Sequence, residues 1–263
     1  MPDTHPTLLI RATFLLHAAA LIVLIAGQWR WALLAVFINH ALLTLVGLLP
    51  RSNWLGSNWT RLPATSADRH EIALTIDDGP DPVVTPQVLD ILAQYHVKAT
   101  FFCIGEKAAR HPDLCREIVG RGHTIENHSQ HHRHYFSLLG YSGILRELQT
   151  AQTTLTEITG QQPLFFRAPA GLRNPFLDPV LTKLNLRLAS WSVRAYDTRA
   201  GDTARVSNKL LRGLRAGAIL LLHDGNAART KNGTPVILDV LPILLSAAGK
   251  AGLRFVTLQQ ALL

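Results

Sequence analysis

From about residue 70 to its end the chain alternates short apolar runs with amphipathic segments, and that alternation limits the folds open to it. Candidate strands fall at 71–76, 98–104, 123–126, 164–167, 186–191, 217–222 and 253–257. The segments between them carry helical periodicity. Val88, Ile91, Leu92 and Tyr95 share one helical face, as do Ile144, Leu148, Ala151, Leu155 and Ile158. Thr85-Pro86, Asn174-Pro175 and Thr234-Pro235 each place a capping residue before a proline suited to a first turn. Seven such alternations predict a parallel α/β layout, and seven or eight units close most naturally into a distorted (β/α)7-8 barrel. In a barrel the chemistry sits at the ends of strands.

The first 50 residues have another character. Two apolar segments, about 12–27 and 31–49, are separated by Gln28-Trp29-Arg30. At about 1.5 Å per residue the second spans roughly 28 Å, close to the hydrocarbon thickness of a bilayer. Arg11, at the edge of the shorter first segment, can snorkel to the interface. Trp29, Trp31, Trp54 and Trp59 fall at or just beyond the segment ends, as in an interfacial aromatic belt. A cleaved signal peptide fits less well: the leading region carries little charge, no small-x-small site is evident, and a second span follows at once. The expectation is a membrane hairpin of two transmembrane helices over 1–50, a linker over 51–69 and a catalytic unit over 70–263. Asn39 and His40 are expected to make helix–helix contacts.

The hairpin accounts for a composition that is 48% hydrophobic and only 17% charged. The net charge of +8 comes without a zinc knuckle, an RNA-recognition signature or a basic-aromatic run, so nucleic acid is not an expected partner. Anionic membrane lipid or a phosphate-bearing substrate suits that charge better. Cys103 and Cys115, the only cysteines, fall in a core strand and a helix and are expected as buried free thiols.

Five stretches carry chemistry. The apolar run Ile72–Ile76 delivers Asp77 and Asp78 into the turn Gly79-Pro80. Side chains alternate along a strand, so one carboxylate can bind a metal while its neighbour handles a proton. His128 and His132 are spaced i, i+4, which one helical turn would bring onto one face for a single metal, while His131 and His134 form a rival i, i+3 pair. Arg167 directly follows the apolar Leu164-Phe165-Phe166 and needs a carboxylate partner. Asp197 closes the stretch Trp191–Asp197. His223 ends the buried run Ile219–Leu222, where a neighbouring carboxylate would raise its pKa toward the role of an acid.

In this order, Thr75–Pro80, His128–His132, Arg167–Asn174, Trp191–Asp197 and Leu221–His223 resemble the five motifs of the polysaccharide deacetylases, the NodB homology domain, over roughly residues 70–263. The resemblance implies a hydrolase that removes N-acetyl groups from amino sugars by metal-activated water. It implies Asp77 as catalytic base and Asp78, His128 and His132 as ligands of one divalent metal, Zn²⁺ in first place with Co²⁺ or Ni²⁺ as alternatives. Arg167 would orient Asp77, His223 would be the catalytic acid tuned by Asp197, and the Ala170 backbone N–H would meet the oxyanion. Three positions depart from the family pattern: Ala170 stands where Tyr is common, Thr198 where Trp is common, and Arg194 where an Asp is common. The lost Trp would have walled a sugar groove. The expected partner is therefore an N-acylated glycan, polymeric, oligomeric or lipid-linked. A deformylase or deacylase acting on another N-acyl sugar on a lipid carrier is one alternative. A membrane-anchored sugar-binding module without turnover is the other, disfavoured because a binder needs no proton donor such as His223. The expected location is a bacterial inner membrane. Arg11, Arg51 and Arg61 on one side, against Arg30 in the loop, tilt the barrel toward the cytoplasmic face, whereas many family members act on extracytoplasmic glycans.

Overall fold

The computed structural model describes residues 5–263. Two apolar helices come first, α1 (Leu8–Ile25) and α2 (Trp29–Gly47), turned at Gly27 with φ 81°. The helix α1 begins earlier than the apolar run because Thr7 caps it and Arg11 turns its guanidinium back to the Pro6 carbonyl. Polar side chains meet between the two helices, as expected for Asn39 and His40. Thr13 Oγ1 donates to Asn39 Oδ1 at 3.2 Å, and the His17 and His40 rings lie edge to face at 5.3 Å. Only 6% of the apolar window of α1 and 28% of that of α2 is buried, which is not the pattern of core helices in a globular domain.

A short helix, α3 (Ala64–Asp68), leads into β1 (Glu71–Gly79), and strands and helices then alternate. They are α4 (Val84–Gln94), β2 (Thr100–Cys103), α5 (Gly105–Arg110), α6 (Pro112–Gly120), β3 (Thr124–Asn127) and α7 (Tyr141–Thr159). After them come β4 (Phe165–Phe166), α8 (Leu177–Lys183), β5 (Arg187–Leu188), β6 (Val193–Arg194), α9 (Thr203–Arg212), β7 (Ile219–His223), α10 (Val236–Lys250) and β8 (Arg254–Phe255). All pairings between these strands are parallel, in the order β5-β4-β3-β2-β1-β7-β6, with β8 paired to the start of β1. The sheet curls into the distorted (β/α)7-8 barrel expected from the alternation, with two apolar helices before it.

Strand periodicity sorts β1 into two faces. Ile72, Leu74 and Ile76 pack outward with Val88, Leu92, Val240 and Leu244 of the surrounding helices. Ala73 faces inward with Phe102, Phe165 and Ile219. Burying each large aliphatic side chain stabilises the fold by roughly 1.5–3 kcal/mol, so both layers contribute.

The stretch before the barrel is built into it. Trp59 bridges in parallel to Ala189, and Arg61 bridges antiparallel to Ala218, so residues 58–62 fill the side of the sheet between β5 and β7. Trp59 therefore packs on the Phe165 ring at 5.1 Å and does not belong to an interfacial belt. Asn174-Pro175 and Thr234-Pro235 precede α8 and α10, and Asn174 Oδ1 accepts from the Phe176 N–H at 2.9 Å, whereas Thr85-Pro86 lies inside the first turn of α4. Asp81 Oδ1 accepts from the Val83 and Val84 N–H groups at the start of α4, and Thr85 turns inward to Asp224. Cys103 and Cys115 are buried free thiols.

Glu126 is a buried carboxylate in this framework. Its Oε2 accepts from the Leu164 and Phe165 N–H groups at 2.8 and 2.7 Å, and its Oε1 from Gln259 Nε2 at 2.9 Å. Burial pushes it up to about 8, against these hydrogen bonds. Between its ordinary value of 4.5 and that value the native chain holds a proton that the unfolded chain has released, so this group's contribution to stability falls as pH rises. The expected result is that Glu126→Gln removes this decline. Urea midpoints of both proteins at pH 5 and pH 8 test it, and an unchanged difference between the proteins at the two values would refute it.

Candidate active site

The two carboxylates at the end of β1 face the same mouth because the strand breaks its own alternation. Asp77 pairs with Phe102 and Gly79 with Cys103, leaving Asp78 as a bulge with φ 70°. Asp77 keeps the inward phase of Ala73 and Thr75. Asp78 would point at the helices, but the left-handed bulge swings it back. The turn leaves no room for side chains around it: a Cβ on Gly79 would lie 2.5 Å from the Asp224 carboxylate, and one on Gly225 would lie 2.1 Å from the Asp78 carbonyl oxygen. Lys107 Nζ donates to that same carbonyl at 2.8 Å.

Asp78, His128 and His132 form one cluster, with ligand atoms all within 4.8 Å of one another. Asp78 Oδ1 lies 3.2 Å from Nε2 of each imidazole. The histidines reach this arrangement from a loop and not from a helical turn. Ser129 and His132 take left-handed φ values of 63° and 49°, and Ser129 Oγ accepts from the His132 N–H at 3.0 Å. His131 goes elsewhere, with Nδ1 2.8 Å from Glu147 Oε1. His128 Nδ1–H donates to the Arg167 carbonyl at 2.8 Å, which leaves Nε2 with its lone pair toward Asp78. Burial, helped by the neighbouring His128 ring, pushes His132 down to about 4, so its ring is neutral at ordinary pH. Burial alone would raise the Asp78 carboxyl, but the imidazoles of His128, His223 and His132 override it and hold it well below the usual range. One carboxylate oxygen and two imidazole nitrogens that converge on one point fit a divalent transition metal.

Asp77 is held differently. Arg167 Nη1 donates to Asp77 Oδ1 at 2.6 Å and to Thr75 Oγ1 at 2.9 Å. The rest of that buried guanidinium is committed to the Ala189 and Ser190 carbonyls and lies over the Phe102 ring at 4.1 Å. Burial pushes Arg167 down against the pull of Asp77, so the ion pair keeps the cation charged inside the barrel. The free Oδ2 of Asp77 is 3.9 Å from His128 Nε2, at the edge of the cluster.

His223 pairs in register with Asp77 across β1 and β7. Asp197 Oδ1 is 2.9 Å from its Nδ1, and Asp197 Oδ2 accepts its backbone N–H at 2.7 Å. Burial would lower the imidazole, but Asp197, with Asp77 and Asp78 behind it, raises it. Ala170 lies at the crest of the 3-10 turn Pro169–Gly171 with φ 54°, and its N–H has no acceptor among the described residues. The sequence reading missed the supports of this constellation: Thr75, Lys107, Asn226 near Asp78 Oδ2, and Asp224, whose carboxyl burial pushes up to about 6. Asp224 was visible as a carboxylate at the end of an apolar run, but no spacing tied it to Thr85.

Comparisons with known proteins agree with this architecture. Residues 64–189 match the family model described as polysaccharide deacetylase. A peptidoglycan-N-acetylglucosamine deacetylase of Bacillus cereus is 30% identical over 214 residues, covering 79% of this chain and 75% of that protein. A second from the same organism is 34% identical over 193 residues, covering 73% and 87%. A chitooligosaccharide deacetylase of Bradyrhizobium is 37% identical over 155 residues, covering 59% and 70%. Among solved structures, a peptidoglycan N-acetylglucosamine deacetylase bound to an N-oxidanyl-benzamide superposes with a TM-score of 0.70 at 29% identity, over 78% of this chain and 92% of that one. A family 4 acetyl xylan esterase of Clostridium thermocellum, solved with a cobalt ion, gives 0.65 at 29% identity, over 72% and 89%.

Proposed function

The chain belongs to the polysaccharide deacetylase family, and from that premise we propose that it is a metal-dependent amidohydrolase of N-acetylated amino sugars, held at a membrane by α1 and α2. The observation that carries this reading is the meeting of the Asp78–His128–His132 cluster with two separately supported proton-handling groups, Asp77 on Arg167 and His223 on Asp197. A binding module without turnover needs neither support.

Asp78, His128 and His132 would hold the cation. When bound there, a divalent metal polarises a carbonyl and makes water acidic enough to be a nucleophile near neutral pH. Asp77 takes the proton of the attacking water, and the hydrogen bond from Arg167 keeps that carboxylate aimed. The exposed Ala170 N–H meets the oxygen that gains charge as the carbonyl becomes tetrahedral. His223, protonated with help from Asp197, gives its proton to the departing amine, without which the amide nitrogen leaves very poorly. Amide and water thus become acetic acid and the free amine, with one proton taken by Asp77 and one given by His223.

Exposed apolar faces on both helices support membrane attachment. Carbonate-washed membranes bearing the chain are expected to release acetate from N-acetylated chitooligosaccharide or peptidoglycan fragments. Chelation should abolish the release, and Zn²⁺, Co²⁺ or Ni²⁺ should restore it. Activity that stays in the supernatant would remove the anchor, and activity indifferent to chelator would remove the metal.

A further inference from the structure

Between the helical hairpin and the barrel lies a cavity of about 1020 Å³. That volume stands at the upper end of small-molecule sites, roughly 300–1,000 Å³. Its walls are mostly apolar. Phe14, Leu43 and Leu48 contribute from the helices, and Leu138 and Phe176 from the barrel. At about 1.5 Å per residue it extends some 15 Å along α1, from Thr7 to His17. The imidazoles of His17 and His40 stand in its wall, each with Nδ1 engaged by the carbonyl one turn back.

Three observations say what fits there. The barrel side presents apolar residues that a soluble surface would not need: Leu138 is 84% exposed and Phe176 50%, continuous with the open faces of α1 and α2. At the depth of a bilayer such a surface meets hydrocarbon. Next, one short stretch of chain separates the cavity from the catalytic mouth. Ala170 is exposed at the crest of its turn, and three residues later Arg173 to Phe176 line the cavity. The Arg173 N–H donates to the Gly47 carbonyl at the end of α2, and a Cβ on Gly171 would come within 2.7 Å of both Pro50 and Trp191. Finally, two cations stand by Trp191 and Ser192, on the side of Gly171 that packs against Trp191. Arg51 Nη1 reaches the Ser192 carbonyl, and Arg194 lies 5.1 Å from the Trp191 and Tyr196 ring centres. Asp178, beside Arg173, is the one carboxylate among the described residues of the cavity wall.

We infer that this cavity holds the hydrocarbon chain of the substrate itself, an N-acyl sugar linked through phosphate to a long prenyl or acyl chain. The inference rests on reading the barrel as an N-acyl-sugar hydrolase. The chain lies between the hairpin and the 170–176 segment, the phosphate meets Arg51 and Arg194, and the sugar reaches the mouth. The missing aromatic at Thr198 agrees with a substrate gripped by its tail and not by stacking along a polymer.

The test uses the full chain in phosphatidylcholine nanodiscs. The probe is N-acetylglucosamine 1-phosphate esterified to a geranylgeranyl chain that ends in a diazirine, and the control is the methyl ester of the same sugar phosphate. Photolabel is expected on the residues of the cavity wall, competed by the unlabelled prenyl sugar and not by added phosphatidylglycerol. Thr44→Trp and Leu138→Trp, which fill the cavity from opposite walls at exposed positions, are each expected to raise KM for the prenyl substrate about tenfold or more. Turnover of the methyl ester should stay unchanged, which also shows that the variants fold. Competition by phosphatidylglycerol equal to that by the prenyl sugar would assign the cavity to bulk lipid. Label confined to other surfaces would leave it to a partner's helix. Either overturns the inference, as does equal slowing of both substrates. Absence of acetate from every substrate, with cavity labelling intact, would defeat the hydrolase reading alone.

Discussion

His132→Ala is expected to lose its divalent cation and all measurable turnover, while Asp77→Asn keeps the cation and slows by roughly 10²–10⁴. The two carboxylates are neighbours in sequence but not in environment. Asp78 Oδ1 sits 3.2 Å from both His128 and His132, so removing His132 takes away one of three converging donors. Asp77 gives one oxygen to Arg167 and keeps the other at the edge of the cluster, where it can accept a proton. Its amide analogue can still pair with Arg167 through the carbonyl oxygen, so the fold and the cluster survive while the base is lost. Elemental analysis of the purified variants, with acetate release alongside, decides the matter. Should His132→Ala retain a stoichiometric metal while His134→Ala loses it, the assignment of the pair is wrong.

For the acid, His223→Ala is expected to cost roughly 10²–10⁴ in rate with the cation still bound. The pH profile gives a second reading. Turnover needs the protonated imidazole, so it falls as pH rises through the pKa of His223. Asp197 raises that pKa against burial, and Asp197→Asn should therefore move the alkaline limb to lower pH. His223→Ala should erase the limb altogether. A variant with near wild-type rate, or an alkaline limb that ignores both substitutions, would take His223 out of the chemistry.

Much of this molecule was legible because its long elements are regular. The run Ile72–Ile76 and the run Ile219–Leu222 are buried on both faces and read as strands in any context. The short strands β4, β5 and β8 fall inside the apolar runs 164–167, 186–191 and 253–257, although only two residues of each pair. The strand β6 lies where Trp191–Asp197 reads as loop, because its pairing depends on β7 beside it. Spacing singles out the two histidines that the structure brings beside Asp78, but it implies a helical turn, whereas two left-handed loop residues span the i, i+4 interval here. Left-handed backbone at Asp78, Ser129, His132 and Ala170 has no glycine to announce it, and all four positions lie at the candidate site. Trp59 misled because an aromatic near an apolar segment fits an interface as well as a core. Only the bridge to Ala189 separates the two.

The segment between hairpin and barrel also determines how far the enzyme can reach. The Pro50 carbonyl accepts from Asn58 Nδ2 at 2.9 Å and from Ser190 Oγ at 2.7 Å, and residues 58–62 are stitched into the sheet. No slack remains for the catalytic unit to swing like a ball on a string. With the hairpin in a bilayer, the mouth rides at one height above it and works on whatever passes in that thin layer. A glycan strand further out must come down to it. A version cut free after Leu62 would gain range but would start its barrel with an open seam.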